Sequence, residues 1–453
     1  MKRMPTRLLT LLAVLAMLVA ACGGGEGGEA TTTAAPDTSE TTAAADETTT
    51  TGAPTDELEP VTLEWWHLQN VDPMLGVWQE MADEFTAANP HVTIEITAME
   101  NEALKAALQT RLQAGDPPDL FQSWGGGGLR EQVEAGLVQD ITEASAGFIE
   151  NLNPGAVGLY QVDGVQYAIP YNLGMVGVFY NKALFAEAGI DGPPTTWEEY
   201  LEDVQTLKDA GIIPIAVGAG DKWPAHFYYT YLMIRIGGEE AMNQLAEDRD
   251  FTAEPFIEAG NELQRLIDLE PFQPGFLATP WDGADGEAGF MGSGQAAMDL
   301  MGQWAPNAFV NASPDGEGLG EDLGWFPFPE VEGGAGAITD ALGGGDGFAV
   351  GRDAPPEAVQ FLEYLTAIEQ ANRVGEVGTI LPITVGSEDS VTDPNMAQVL
   401  QGRSEATFVQ LYLDQFFDLD LGAAINDAVQ TLFAGTATSE EIALTITEAA
   451  QGG

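Results

Sequence analysis

The fold is indicated first by Val61-Thr62-Leu63-Glu64-Trp65-Trp66, where apolar and polar side chains alternate as they do along a β-strand. Apolar residues between 74 and 85 then recur at helical spacing. Residues 92–96 alternate as a second strand, and 104–112 carry a second helical stripe. Because strands alternate with helices, this order predicts an α/β fold with a parallel sheet covered by helices.

The same alternation continues along the rest of the chain. Thr196 and Glu199 have the spacing of a capping box, which marks the start of a helix. Gly211 should end that helix before a buried strand at 212–217. Further helices are predicted at 256–269, 355–368, 396–401 and 421–433, and a last one should begin at 438–441.

Composition limits the class of protein. Hydrophobic residues make up 45% of the 453 residues and aromatic residues 9%, as in globular proteins, and residues 61–453 suffice for two domains. Fifteen Lys and Arg stand against 71 Asp and Glu, a formal net charge of −56. A nucleic-acid partner is therefore not expected, because it requires a basic surface, and an anionic ligand is disfavoured.

The first 22 residues have the features of an export signal. Lys2, Arg3 and Arg7 flank the start of an apolar run of about 14 residues, shorter than the roughly 20 that span a bilayer. Small residues precede Cys22, the only cysteine in the chain, and this resembles the lipobox of bacterial lipoproteins. The resemblance implies a signal peptide at 1–21 and membrane anchoring through lipidated Cys22. The alternative is an ordinary secretory signal with an incidental cysteine.

Residues 22–60 are predicted to form a disordered linker. They are almost wholly Gly, Ala, Thr, Glu, Asp and Pro, and Leu58 is their only large apolar residue. Such a segment cannot bury enough surface to offset the entropy of ordering. Its root-mean-square reach is roughly 35 Å, at about 5–6 Å times the square root of its length. The folded body should therefore lie close to the extracytoplasmic face of the cell membrane.

Four groups of short motifs occur in order along most of the remaining chain. They are Phe85-Thr86-Ala87-Ala88-Asn89-Pro90; Ala114-Gly115-Asp116-Pro117-Pro118-Asp119-Leu120-Phe121 with 134–138; Tyr167-Ala168-Ile169-Pro170 with 179–182 and 196–199; and Gly294-Gln295-Ala296-Ala297-Met298 with 302–304. Their order and spacing resemble the sugar-binding proteins of ABC importers, the extracellular solute-binding family that includes maltose-binding protein.

The resemblance implies a two-lobed, periplasmic-binding-protein-like (type II) fold, with hinge strands between two α/β lobes and the ligand held between them. The implied boundaries are 61–171 plus 345–381 for the first lobe and 172–344 plus 382–453 for the second. The hinge strands are expected to be short and rich in Gly or Pro, as at Gly174, 343–345 and Pro382.

Sugar recognition sets the expected site chemistry. A pyranose has apolar C–H faces and a rim of hydroxyls, so its receptor needs flat aromatic rings and polar side chains. In an open α/β sheet these lie where strands end at the ligand crevice. Predicted strand ends supply Trp66, His67, Trp124, Asp221, Trp223, Gln303 and Trp304. The family resemblance adds the hinge residues Tyr171, Asn172 and Asp346.

Several other residues receive a structural interpretation. Trp78 and Trp197 lie on helical apolar faces and should be core residues, whereas Trp281 and Trp325 are left open. Three histidines are too few and too scattered for a metal cluster. The acidic stretch 282–287 lacks the ligand pattern of a calcium loop. We therefore expect neither a metal nor a cofactor.

The sequence allows two other classes of function. A carbohydrate-active enzyme is the remote alternative, since it needs two facing carboxylates, but no G-x-S-x-G, P-loop or H-E-x-x-H motif occurs. A binding protein for a peptide, amino acid or anion would need a basic clamp, for which Lys222 and Arg130 are candidates. The prediction is a monomeric, non-enzymatic receptor that delivers sugar to the permease subunits of an ABC transporter.

Overall fold

A computed structural model describes residues 58–452. The predicted signal peptide, Cys22 and nearly all of the predicted linker lie outside the described residues. The strands, β1 to β11, are Val61–His67, Val92–Ala98, Leu120–Ser123, Gln161–Val162, Val165–Gln166, Ala168–Asn181, Ile213–Ile215, Ala296–Gly302, Leu323–Phe326, Ala341–Val350 and Val409–Leu411.

The helices, α1 to α17, are Met74–Ala88, Asn101–Gln113, Gly126–Glu134, Thr142–Ser145, Pro154–Gly158, Lys182–Ala188, Trp197–Asp209, Trp223–Asp248, Glu254–Asp268, Glu287–Gly292, Ala305–Ala312, Pro356–Leu365, Ile368–Val377, Pro394–Glu405, Leu413–Phe416, Leu419–Phe433 and Ser439–Gly452. Short 3-10 turns lie at Ile149–Asn151, Phe276–Ala278, Gly320–Asp322 and Glu388–Ser390. Among the residues described, no helix is long and apolar enough to cross a membrane.

The opening strand–helix–strand–helix prediction is confirmed by β1, α1, β2 and α2. The predicted parallel pairing is confirmed for the opening strands, but it does not extend to the whole sheet. The main path of the sheet runs β2-β1-β3-β10-β6-β8-β7, and β1 pairs in parallel with β2 and β3. In contrast, β10 is antiparallel to both β3 and β6, because the chain re-enters the sheet from the opposite end.

Local capping signals were reliable, whereas helix lengths were less so. Thr196 and Glu199 form the predicted capping box at the start of α7, with both reciprocal hydrogen bonds present. The helix predicted at 355–368 is two helices, because α12 ends at Leu365 and α13 begins at Ile368. The strand predicted at 212–217 is shorter, since β7 covers only Ile213–Ile215.

Buried apolar residues divide the body into two lobes. The first lobe packs around Trp65, Trp78 and Phe361, with a smaller cluster on the opposite face of its strands. The second lobe packs around side chains that include Trp197 and Tyr231. Trp78 and Trp197 are each 1% exposed, which confirms their prediction as core residues.

Two long strands pass from one lobe to the other. Strand β6 contributes Ile169 to the first core and Val178 to the second, and its partner β10 contributes Phe348 and Leu342 in the same way. The expectation of short hinge strands is therefore wrong. Gly174 does not interrupt β6; a Cβ there would come within 1.7 Å of Gln303 Oε1, so glycine makes room for that side chain.

Candidate functional site

A cavity of about 200 Å³ lies between the lobes. Trp124 follows β3, Gln303 follows β8 and Tyr412 follows β11, so strand ends point into the cavity as expected for an open α/β sheet. The structure brings six of the ten predicted ligand-binding residues to this cavity. They are Trp124, Asn172, Trp223, Gln303, Trp304 and Asp346.

Aromatic rings of the second lobe form one wall of the cavity. The Trp223 ring centroid lies 5.8 Å from that of Trp281 and 6.3 Å from that of Trp304. Tyr412 continues the wall, 6.3 Å from Trp304 and stacked on Phe227. Such a wall offers flat apolar faces with polar edges.

The first lobe faces this wall with Trp124 and polar groups. Lys105 Nζ lies 5.6 Å from the centroid of the Trp124 ring and forms an ion pair of 3.0 Å with Glu102. Amide side chains contributed by both lobes add paired donors and acceptors. They are Gln69, Asn70, Asn101, Asn172, Gln303, Asn307, Asn311 and Gln415.

Asn172 and Asp346 join the crossing segments at the floor of the cavity. The Asn172 amide donates to Asp346 Oδ2 at 2.7 Å, and its Oδ1 accepts a hydrogen bond from Leu381 N at 3.1 Å. Gln122 Nε2 donates to the other Asp346 oxygen at 2.8 Å. Burial raises the pKa of Asp346 to about 6, although both amides favour its ionised form.

Four polar atoms in the cavity lining have no hydrogen-bond partner among the described residues. They are Trp223 Nε1, Gln303 Oε1, Thr379 Oγ1 and Tyr412 Oη. Buried polar groups are nearly always paired, and an unmade bond costs about 1–3 kcal/mol. A ligand carrying several hydroxyls could satisfy these atoms as both donor and acceptor.

The formal charge of the lining is negative. Glu100, Asp282, Asp346 and Asp414 face the cavity, with Lys105 as the single cation among the described lining residues. Glu100 caps α2 by accepting from Glu102 N and Ala103 N, so its carboxylate already has a structural role. Positive charge is scarce in this lining, which disfavours an anionic ligand.

Two predicted site residues at the end of β1 do not line the cavity. His67 is fully buried, with its ring centroid 4.6 Å from that of Trp65, and burial lowers its pKa to about 3. His67 shares the face of Trp65 because residues two apart in a strand point the same way. Trp66 points to the opposite face and lies under the Arg111 guanidinium, 5.2 Å from the ring centroid.

Tyr171 and Asp221 lie next to the site but outside the cavity lining. Tyr171 stacks on Phe348 at 4.6 Å and donates to Gln122 Oε1 at 3.1 Å, so it supports the glutamine that holds Asp346. Asp221 accepts a hydrogen bond from the backbone N of Trp281 at 2.7 Å. Both residues therefore position cavity residues.

Sequence reasoning missed part of the aromatic wall. The sequence does not assign Trp281 to the site, because only the folded structure brings its loop against the start of α8. Tyr412 directly follows a strand, but β11 is only three residues long and gives no clear alternating pattern. Trp325, also left open, is buried in the second core beside Gly177. Within the described part of the chain, no group of His, Cys, Asp or Glu could hold a metal ion.

A solute cleft between two α/β lobes defines the class of a two-lobed binding protein. The chain belongs to the bacterial extracellular solute-binding proteins, whose family pattern matches residues 72–372. The family, two-lobed fold and receptor class inferred from the motifs are therefore confirmed. Proteins of this family act outside the cytoplasm.

Individual relatives give the same classification. An uncharacterized ABC transporter extracellular-binding protein of Pyrococcus horikoshii is 25% identical over 352 residues, covering 76% of this chain and 75% of the relative. The multiple sugar-binding protein of Streptococcus mutans is 24% identical, covering 70% and 74%. A solved structure concerned with xylan utilization by Caldanaerobius polysaccharolyticus has a TM-score of 0.79 and 28% identity, covering 85% of this chain and 99% of that one.

Proposed function

We propose that this protein is the substrate-binding component of an ABC importer, and that it captures an uncharged sugar or oligosaccharide between its lobes. The observation that carries the proposal is the aromatic wall of Trp223, Trp281 and Trp304 opposite a rim of amide side chains. Aromatic faces match sugar C–H surfaces, while amides match hydroxyls. The Streptococcus mutans relative is described as a multiple sugar-binding protein, which supports the same ligand class.

The charge of the cavity argues against the rival ligands. A carboxylate or phosphate is usually met by Arg or Lys. Lys222 pairs with Asp427 outside the cavity lining, and Arg130 also lies outside it. Lys105, the single lining cation among the described residues, is already paired with Glu102. An uncharged polyol therefore fits better than an amino acid, peptide or anion.

We also propose that the protein is not an enzyme. Three of the four cavity carboxylates already accept hydrogen bonds that maintain the fold. Asp346 holds Asn172 and Gln122, Glu100 caps α2, and Asp414 accepts from Asn426 at 3.2 Å. A glycosidase instead needs two carboxyl groups available on opposite sides of one bond.

The remaining expectations stay proposals. Of the ten residues predicted from the sequence, the six that line the cavity are proposed ligand contacts. The first lobe is proposed to comprise 61–171 plus 345–381, and the second 172–344 plus 382–453. Ile383 packs in the first core, two residues beyond the proposed boundary. We propose a monomer anchored through lipidated Cys22 that docks on permease subunits at the extracytoplasmic face. An anchor of this kind would raise the effective receptor concentration near the permease.

A ligand panel tests the sugar assignment. The purified protein should be melted with uncharged mono- and oligosaccharides, amino acids and short peptides, each over a range of concentrations. A ligand that binds only the folded state raises the unfolding temperature. We expect at least one saccharide to stabilise the protein saturably. Stabilisation by an amino acid or peptide, with no response to any saccharide, would refute the proposal.

A further inference from the structure

A second cavity, of about 680 Å³, lies on the other face of the crossing strand β6. Leu173 and Met175 line it, whereas Asn172, which alternates with them along the strand, lines the sugar cavity. Its walls come from both lobes, with α3 and α5 on one side and the end of α8 and the α14–α15 region on the other. The two cavities are thus separated by the strands that join the lobes.

The charge of this second cavity is opposite to that of the rest of the protein. Arg130, Arg249 and Arg403 line it, and they are three of the twelve basic residues in 58–453. No Asp or Glu is among the described residues of its lining, although the chain contains 71 of them. A cluster of positive charge in so acidic a protein creates a local attraction for anions.

The three arginines keep hydrogen-bonding capacity for a ligand. A guanidinium has five N–H donors. Arg130 forms one ion pair, of 3.5 Å, with Asp163, and Arg249 Nη1 donates to Asp418 at 2.9 Å. Arg403 donates to the backbone oxygen of Leu173 at 2.5 Å and forms no ion pair with a described residue. Burial lowers the pKa of Arg403 to about 10, as expected for a cation with little compensating charge.

We propose that this second cavity binds a small phosphate-type oxyanion through Arg130, Arg249 and Arg403. Guanidinium groups bind phosphate and carboxylate oxygens with two parallel hydrogen bonds, which a lysine cannot do. Because Arg130 belongs to α3 and the other two arginines to elements of the second lobe, a bound anion would contact both lobes. The site is separate from the sugar cavity and does not depend on which sugar is bound.

The test uses inorganic pyrophosphate as the probe. It should be titrated calorimetrically into the purified protein at constant ionic strength, with inorganic phosphate and citrate as separate arms that distinguish phosphate from carboxylate recognition. We expect saturable binding of pyrophosphate, and the double variant R130Q/R249Q should weaken it by about tenfold or more, as expected for losing charge-assisted hydrogen bonds.

Arg352→Gln is the matched control. Arg352 is 42% exposed against 51% for Arg130 and lies outside this cavity. Its replacement removes one positive charge, as R130Q alone does, and half as much charge as the double variant. Pyrophosphate affinity should change by less than about twofold in this variant, as for a screened surface charge. Absence of saturable binding to the wild-type protein would overturn the proposal. Equal losses in R352Q and in a folded R130Q/R249Q would overturn it as well, since they would indicate a general charge effect.

Discussion

Trp223 and Trp304 show what residue-level reasoning can reach. Both stand within two residues of a Pro at the start of a helix that follows a strand, and both line the cavity. His67 and Trp66 also stand at a strand end, yet neither lines it. The difference is that side chains at a strand end still alternate, and which face looks onto the cleft depends on packing from distant segments. The position of Trp281 in the cavity wall depends entirely on such packing.

Removing a ring of the aromatic wall should weaken sugar binding. We expect Trp223→Ala and Trp304→Ala each to cost about 1–3 kcal/mol of binding free energy, the usual range for a buried aromatic contact. The measurement is a calorimetric titration with the saccharide identified by the panel. Trp66→Ala is the control, because Trp66 stacks on Arg111 outside the cavity and should leave affinity unchanged. Equal affinity in wild type and in both cavity variants would contradict the assigned site.

A buried pair of carboxyl groups should make stability depend on pH. Asp299 and Glu287 are both fully buried together in the second lobe, and burial raises the pKa of Asp299 to about 7 and that of Glu287 well above its usual range. The folded state therefore keeps protons that the unfolded state releases above about pH 4. Bound protons are more numerous in the folded state, so stability should fall as pH rises from about 4 to 7 and above.

Asp299→Asn tests this dependence, since it removes one titrating group and keeps a polar side chain. We expect its unfolding free energy to decrease less steeply than that of wild type between about pH 5 and 8, the slope being at most about 1.4 kcal/mol per pH unit for each proton. Denaturant unfolding at several pH values gives the slope. The exposed Asp209→Asn is the control and should follow wild type. Identical slopes for all three proteins would show that the pair does not retain a proton.

At the level of elements, the sequence located the glycines of the crossing segments but not the length of the strands that contain them. Gly174 and 343–345 do lie in the crossing strands, but β6 and β10 are continuous through them. The family resemblance implied short hinge strands, and a glycine usually weakens a strand. Here the missing Cβ at Gly174 admits Gln303, a contact of the folded state that no local pattern reveals.

The first turn of α3 should be sensitive to any added side chain. A Cβ at Gly127 would lie 1.9 Å from the Phe417 backbone oxygen, a contact between the two lobes. We expect Gly127→Ala to disfavour this arrangement of the lobes, because the added methyl group would clash with the Phe417 backbone. If only this arrangement binds sugar, the apparent affinity falls in proportion to its population, and we expect a loss of about tenfold or more. The measurement is again a calorimetric titration with the identified saccharide.

Gly128→Ala is the matched control on the same helix. A Cβ at Gly128 would be 3.4 Å from Leu419 Cδ2, an ordinary van der Waals contact, and alanine is favoured over glycine in a helix. Sugar affinity should therefore stay within about twofold of wild type, well under the 1.4 kcal/mol that corresponds to a tenfold change. If both variants bind sugar as tightly as wild type, the contact between α3 and Phe417 does not govern ligand capture.

At the level of the whole molecule, the two-lobed fold was predictable because several motifs occur in a fixed order along most of the chain. The mixed direction of the sheet was not, because antiparallel pairing of β10 with β3 and β6 joins residues more than 150 positions apart. The distribution of charge over the folded protein could not be predicted from the sequence either. A net charge of −56 disfavours anions globally, but it does not reveal a local cluster of three arginines.

The central claim is that one sugar is held by both lobes at once. Hydrogen–deuterium exchange of the purified protein, with and without a saturating concentration of the identified saccharide, tests it most directly. We predict slower exchange at residues 100–105 of the first lobe and at 303–308 of the second, since both segments line the cavity. Protection confined to one lobe, or absent from both segments while the sugar is bound, would contradict the account.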